Sequence, residues 1–184
     1  RKWANIGRRH LRLVREFLPG IKITIVRSTE GKAVSDEKIA DNIVYSLQDA
    51  IESGVQAAVI ATPALFHLSQ TSELMRAGVH ILVEKPLSDT MNGINELIEA
   101  HKKSGVVGLV GYCLRHDPAA KQFKKMLTNE TIGQIQHIHV DCGSYLPDWH
   151  PNQDYRQSVS AQKKLGGGVL LELSHELDYI RWFF

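Results

Sequence analysis

The stretch Val79-His80-Ile81-Leu82-Val83-Glu84-Lys85-Pro86 decides how the rest of the chain is read. Val79, Ile81, Leu82 and Val83 are apolar and mostly β-branched, which predicts a short strand buried on both faces of a parallel sheet. Glu84 and Lys85 end the apolar run and Pro86 stops it. Proline fixes its own φ, has no N–H for a ladder, and holds the residue before it in an extended conformation. Lys85 is thereby placed at the carboxyl end of a buried strand, the edge at which open α/β sheets bind their ligands. An ammonium there can polarise an oxygen or help move a proton. On the tripeptide alone, a lysine that caps a strand end in solvent is the more ordinary reading.

Working outward, Leu68 to Ala77 has helical spacing and is closed by Gly78, a usual helix-ending residue. Gln56 to Ala61 is another buried strand, ending at Thr62-Pro63, and Val106 to Val110 is a further apolar strand. Between them a helix is predicted from about Thr90 to Lys103, before Gly105. Towards the N-terminus, Ile6 to Val14 is helical in spacing and stops near Pro19-Gly20, and Ile21 to Val26 is a β-branched strand. Asp36 to Asn42 and Leu47 to Ser53 read as short helices. Strand and helix alternating at this spacing mean βαβ units, and so an α/β fold with a parallel sheet covered on both faces.

The character changes after Gly111. Pro118 to Leu127 reads as a helix, and Gln134 to Asp141 as an alternating, half-solvated antiparallel strand. Residues 143–168 form a long loop rich in Gly, Pro, Trp, Tyr and Ser, and loops of that length in compact domains are usually functional. A closing helix is predicted from about Val169 to Phe184. It stops on Trp182-Phe183-Phe184 with no cap, so the chain is expected to continue in the parent protein.

The composition limits the functions open to the chain. Its 184 residues, 43% hydrophobic and 23% charged, are an ordinary globular balance with enough chain for a core. A net charge of +2, from 22 basic and 20 acidic residues, implies no polyanion partner. The basic residues also lack the interleaved aromatics of a nucleic-acid binder. Cys113 and Cys142 make no disulfide framework, so a reducing, cytoplasmic setting is expected. No apolar run reaches the ~20 residues of a membrane span. His137 and His139 share one strand face and His150 follows, but no carboxylate or Cys stands beside them at ligand spacing, and no metal is expected.

Two further stretches carry chemistry. In a dinucleotide-binding fold, Gly-x-Gly-x-x-Gly leads into a helix whose N–H groups and dipole hold a pyrophosphate. Here Gly7 stands at the final position, while Lys2 and Ala4 replace the first two glycines. Arg27-Ser28-Thr29 lies where such folds read the ribose, and an arginine there favours NADP over NAD, although an exposed Arg at a strand end is also ordinary. In the closing helix, Gly166, Gly167 and Gly168 let the backbone approach a ligand closely. Glu172, His175 and Tyr179 then share one helix face, and Asp178 can orient the His175 ring. A histidine beside carboxylates serves as a general base near neutral pH, but a surface helix with one satisfied histidine has the same pattern.

Together these stretches resemble the glucose–fructose oxidoreductase / inositol dehydrogenase (Gfo/Idh/MocA) family. The matching text is Ile6-Gly7-Arg8-Arg9-His10, Ala61-Thr62-Pro63 with His67, and Ala77-Gly78 through Pro86. It continues with Gly111-Tyr112-Cys113-Leu114-Arg115-His116-Asp117-Pro118, Ile132-Gly133, and Gly166 to Asp178, so the whole chain is covered in order.

The resemblance implies a Rossmann-type dinucleotide-binding domain over residues 1–111 and the beginning of a substrate and oligomerisation domain, with a mainly antiparallel sheet, over 112–184. It implies an NAD(P)-dependent oxidoreductase that transfers a hydride between nicotinamide and a carbinol of a sugar, amino sugar or cyclitol. Lys85, His175 and Glu172 are the implied catalytic residues. Ala4, Asn5, Ile6, Gly7, Arg27, Ser28, Ala61, Thr62, Pro63, His67, Glu84, Lys85 and Arg115 are implied at the cofactor. Tyr112, Trp149, Tyr155, Arg156 and His175 are implied at the substrate, with the loop around Trp149 like that of members acting on amino sugars. A homo-oligomer formed through the C-terminal sheet is also implied.

The sequence departs from the family in three places. The first strand and two leading glycines are missing, the chain stops where the family continues, and Glu172 lies one residue closer to His175 than the commonest family spacing. A non-catalytic sugar- or nucleotide-binding member is the alternative: the missing glycines favour it, and Lys85 with His175 oppose it.

Overall fold

A computed structural model of the chain describes residues 5–27, 35–149 and 154–184. The chain divides into two units, Arg1–Val110 and Gly111–Phe184.

The first unit opens with α1 (Asn5–Phe17), whose Leu11 is buried while Arg12 faces solvent. β1 (Thr24–Val26) pairs in parallel with β2 (Asn42–Val44), Thr24 opposite Asn42. A helix was expected over Asp36 to Asn42; instead a short 3₁₀ helix (Ser35–Ile39) leads into β2. The Asp41 carboxylate accepts from the Ile23 amide at 2.7 Å, and Asp41 N–H donates to the Ile23 carbonyl at 2.9 Å, which draws the segment into the ladder. Three residues are too few for strand periodicity to register in sequence.

α2 (Leu47–Glu52) starts on Ser46, whose hydroxyl accepts from the Asp49 amide, an ordinary N-cap. β3 (Ala57–Ile60), β4 (His80–Val83) and β5 (Gly108–Val110) form a parallel ladder with β4 in the middle, Ile60 opposite Val83 and Val83 opposite Val110. α3 (His67–Arg76) and α4 (Ile94–Ser104) are the crossovers. Ile60, Leu74, Met75, Val79, Ile81, Val83, Leu97 and Val106 make one buried core, so the apolar run that ends at Glu84 is its centre. α4 begins four residues later than the expected Thr90. The Ser88 and Thr90 hydroxyls each accept from the amide two residues on, which favours turns over helix, and Gly93 enters α4 at φ +83°.

In the second unit α5 (Pro118–Thr128) is capped by Asp117, which accepts from the Ala120 amide, with proline at the first helical position. The closing segment is two helices, α6 (Val169–Glu172) and α7 (Ser174–Phe183), divided at Leu173 (φ −93°, ψ 29°), rather than the single helix expected. α7 is docked on α5: Phe123 and Phe183 meet edge-on at 5.0 Å, and Lys124 Nζ donates to the Phe183 carbonyl. Local propensity does not mark Leu173 as a break. Gln134 to Asp141 is not a strand, because no ladder partner for it lies among the described residues. Ile135, Ile138 and Val140 instead line an apolar cavity with Phe123, Leu127 and Phe183. The second unit therefore has no sheet among the described residues.

Candidate active site

Because β3, β4 and β5 run parallel, the segments after Ile60 and Val83 leave the same edge of the sheet. Glu84 N–H donates to the Ile60 carbonyl at 2.8 Å, which ties the two exits together. Lys85 follows at once and is half-buried. The Glu84 carboxylate turns back on its own loop: one oxygen lies 2.6 Å from His10 Nε2 and the other 3.3 Å from the Lys85 amide. Burial pushes the Glu84 carboxyl up, but the hydrogen bond and charge of His10, with those of Lys85, outweigh it and leave the carboxyl below its ordinary range.

α1 meets the same edge. A Cβ placed on Gly7 would lie 3.5 Å from Ala61 Cβ, so the start of the helix abuts the loop that leaves β3. The first turn of α1 carries no acidic residue. Ile6 and Gly7 stand in that turn and Asn5 opens it, while Ala4 lies outside the described residues. A helix N-terminus of this kind, flanked by two small residues, suits a phosphate. In the loop after β3, Thr62 Oγ1 donates to Gln70 Oε1, and Pro63 precedes a short 3₁₀ turn (Ala64–Phe66).

His67, the first residue of α3, is 1% exposed. Its Nδ1 lies 2.7 Å from the Pro86 carbonyl oxygen and its Nε2 2.7 Å from the Thr62 carbonyl oxygen. Both ring nitrogens are thus engaged by the chain, and the ring has almost no surface to offer a cofactor. Arg27 follows β1 with its guanidinium 3.4 Å from the buried Glu37 carboxylate; Ser28 lies outside the described residues.

In the second unit Tyr112 and His175 meet edge-on, ring centres 5.7 Å apart. Arg115 forms a two-pronged pair with Asp178, at 2.8 and 2.7 Å. That carboxylate is therefore held by Arg115 through both oxygens, against the expectation that it orients His175. Tyr112, Arg115, Ser174, Leu177, Asp178 and Arg181 line a cavity of about 450 Å³. With the helix broken at Leu173, Glu172 closes α6 and His175 opens α7, so the two do not share one helix face. Trp149 donates to Ser144 Oγ, and Arg156 sits over the Tyr155 ring and beside Asp154; none of Trp149, Tyr155 and Arg156 lines the Arg115 cavity.

Sequence reasoning gave no role to His10 or Glu37. The signal for His10 is its place on the α1 stripe of Gly7, Leu11 and Val14, which turns it inward. Glu37 had none, being a lone acid in a short 3₁₀ helix. Among the described residues no group of three or more His, Cys, Asp or Glu is placed to hold a metal, and no helix is long and apolar enough to cross a membrane.

A parallel sheet with a lysine turn at its carboxyl edge and a glycine-led helix beside it defines the class: a Rossmann-type fold. Residues 3–112 match the oxidoreductase family with NAD-binding Rossmann fold, and residues 120–184 match the GFO/IDH/MocA C-terminal domain. The chain belongs to the Gfo/Idh/MocA oxidoreductase family. It is 30% identical over 155 residues to 1,5-anhydro-D-fructose reductase of Ensifer adhaerens, covering 83% of this chain and 45% of that protein. To inositol 2-dehydrogenase of Serratia proteamaculans (strain 568) it is 27% identical, covering 96% and 51% respectively. Levoglucosan dehydrogenase, solved with NADH and levoglucosan, shares the fold with a TM-score of 0.77 at 22% identity, over 98% of this chain and 51% of that one. The chain spans about half the length of these relatives.

Proposed function

We propose that the complete protein is an NAD(P)-dependent oxidoreductase moving a hydride between nicotinamide and a carbinol carbon of a sugar, amino sugar or cyclitol. The observation that carries this reading is the Glu84-Lys85-Pro86 turn at the carboxyl edge of β4, beside the loop after β3 and the start of α1. The relatives' names supply the substrate class: inositol, anhydrofructose and levoglucosan are all small polyols.

In this reading Asn5, Ile6 and Gly7 at the start of α1, with Ala4 just before them in sequence, would hold the pyrophosphate, and Ala61, Thr62 and Pro63 would also take part in holding the cofactor. The bound nicotinamide supplies hydride acceptance and donation. Lys85 polarises the carbinol oxygen, His175 takes and returns its proton, and Glu172 supports that transfer. Glu84 holds the Lys85 turn, while Arg115, Tyr112, Trp149, Tyr155 and Arg156 are assigned to cofactor and substrate on the family resemblance. Arg27 and Ser28 read the ribose edge, and Arg27 tilts the choice towards NADP(H), because a guanidinium can pair bidentately with a 2′-phosphate.

The test is turnover of the full-length protein with NAD(H) and NADP(H) on myo-inositol, levoglucosan and 1,5-anhydro-D-fructose. Lys85→Ala and His175→Ala are each expected to lower kcat by ~10²–10⁴-fold. The double variant should lose much less than the product, because groups acting on one proton transfer are non-additive. Cofactor binding without turnover on any polyol would favour the binding-module reading, which Lys2 and Ala4 in place of glycines support.

A further inference from the structure

We propose that His67 is a positioning residue for Lys85: its buried ring pins the Pro86 carbonyl, one residue past Lys85, to the Thr62 carbonyl at the exit of the neighbouring strand. The inference rests on the reading of Lys85 as the group that polarises the reacting oxygen.

The geometry leaves the ring little else to do. β3 and β4 are adjacent and in register at Ile60 and Val83, so their exits start level. Thr62 lies two residues beyond Ile60 and Pro86 three beyond Val83, and the imidazole spans the gap at 2.7 Å on each side. His67 is itself held as the first residue of α3, after the 3₁₀ turn Ala64–Phe66. A second tie, Thr62 Oγ1 to Gln70 Oε1, anchors the β3 loop one turn further along the same helix. The Pro86 contact is the one that bears on Lys85, since it fixes the far end of the turn whose near end is held by Glu84 N–H on the Ile60 carbonyl. An active-site side chain displaced by ~1 Å can lose ~10²-fold in rate without any change in its chemistry.

Two substitutions separate the two contacts. Asn carries its amide nitrogen near the place of Nδ1, facing Pro86; Gln carries it near the place of Nε2, facing Thr62. In full-length protein, turnover on the three polyols above is measured for His67→Asn, His67→Gln and His67→Leu, each with Lys85 present and in Lys85→Ala. In parallel, acetylation of the Lys85 amine by acetic anhydride is followed by mass spectrometry, with exposed Lys103 as internal reference. His67→Leu and His67→Gln are expected to lower kcat by ~10- to 10²-fold with KM nearly unchanged, and to shift Lys85 acetylation several-fold while leaving Lys103 alone. His67→Asn should recover most of both. In the Lys85→Ala background none of the three should cost further turnover, because what they disturb is gone. Equal losses with and without Lys85, or Gln restoring better than Asn, would overturn the inference and leave the role of Lys85 standing. Wild-type turnover in Lys85→Ala itself would overturn both. The comparison of Asn with Gln decides even where His67→Leu does not fold.

Discussion

His10 and Glu84 stand 74 positions apart in sequence and touch at 2.6 Å, ring nitrogen to carboxylate oxygen. The contact joins the glycine-led helix to the turn that carries Lys85. It also makes that turn sensitive to acid. The Glu84 carboxyl is held below its ordinary value of 4.5, so its folded pKa lies under its unfolded one. Such a group contributes stability that is complete above the unfolded value and is lost as pH falls through the folded one. Below pH 4.5 the wild-type melting temperature is therefore expected to fall more steeply than that of Glu84→Gln. Parallel curves would show that the pair has no pH-dependent share in stability.

A second acid-sensitive point lies on the opposite side of α1. Arg12, and then Arg8, donate to Asp36 and hold its carboxyl down at about 2 from an ordinary 3.8. The sign is the same: this stability is complete above 3.8 and disappears as pH falls towards 2. Asp36→Asn should remove the slope in that window. Because Arg12 is exposed, salt should shrink the difference between the two proteins. A wild-type slope that persists in Asp36→Asn would assign the window to other carboxyls.

Gly167 is packed against its own loop. A methyl there would stand 2.0 Å from the Val159 carbonyl oxygen and 2.8 Å from that of Ser160, both backbone atoms that cannot swing aside. Gly167→Ala is expected to cost ~1–3 kcal/mol by overpacking. Gly143→Ala, with nothing within 4 Å, should be nearly neutral. Urea midpoints of the two variants decide the matter, and equal midpoints would mean that the 159–168 loop rearranges freely.

The Arg27–Glu37 pair sets up a test of cofactor choice. Glu37 is 7% exposed and, where Arg27 reads the ribose as proposed, would compete with a 2′-phosphate for the guanidinium. In the full-length protein, Glu37→Gln should release Arg27, remove a repelling charge, and raise the ratio of NADP(H) to NAD(H) affinity. Arg27→Asp should lower it. Two unchanged ratios from fluorescence titration would remove Arg27 from the ribose site.

What the sequence disclosed and what it hid divide along a physical line. The Val79–Val83 strand, its proline stop and the flanking helices were legible because apolar runs, glycines and prolines act over a few neighbouring residues. β2 was hidden by its length, since Asn42–Val44 spans too little for a period to show. The Leu173 break was hidden because no glycine or proline stands there to mark it. Gln134 to Asp141 has a strand's pattern, but a strand exists only with a partner for its hydrogen bonds. Gly167 was expected to admit a ligand; the close approach is real, but it is to Val159 and Ser160. The pairs His10–Glu84, Arg27–Glu37 and Arg115–Asp178 all close across the fold, and linear spacing says nothing about them.

The central position of β4 has a consequence in time. Its backbone is bonded on both sides, to β3 and to β5, and Ile81 and Val83 are among the most buried residues of the chain. Among the described residues β1 and β2 pair only with each other, and Val26 and Ile43 lie 40% and 39% exposed. Amide hydrogens of β4 should therefore be the slowest of the first unit to trade with deuterium, and those of β1 and β2 among the fastest. A chain that breathes in this order opens around Arg27 many times for each occasion on which Lys85 is displaced. In the proposed reading, the ribose side of the site would then open at the two-stranded β1–β2 ladder while the lysine stays aligned at the three-stranded one.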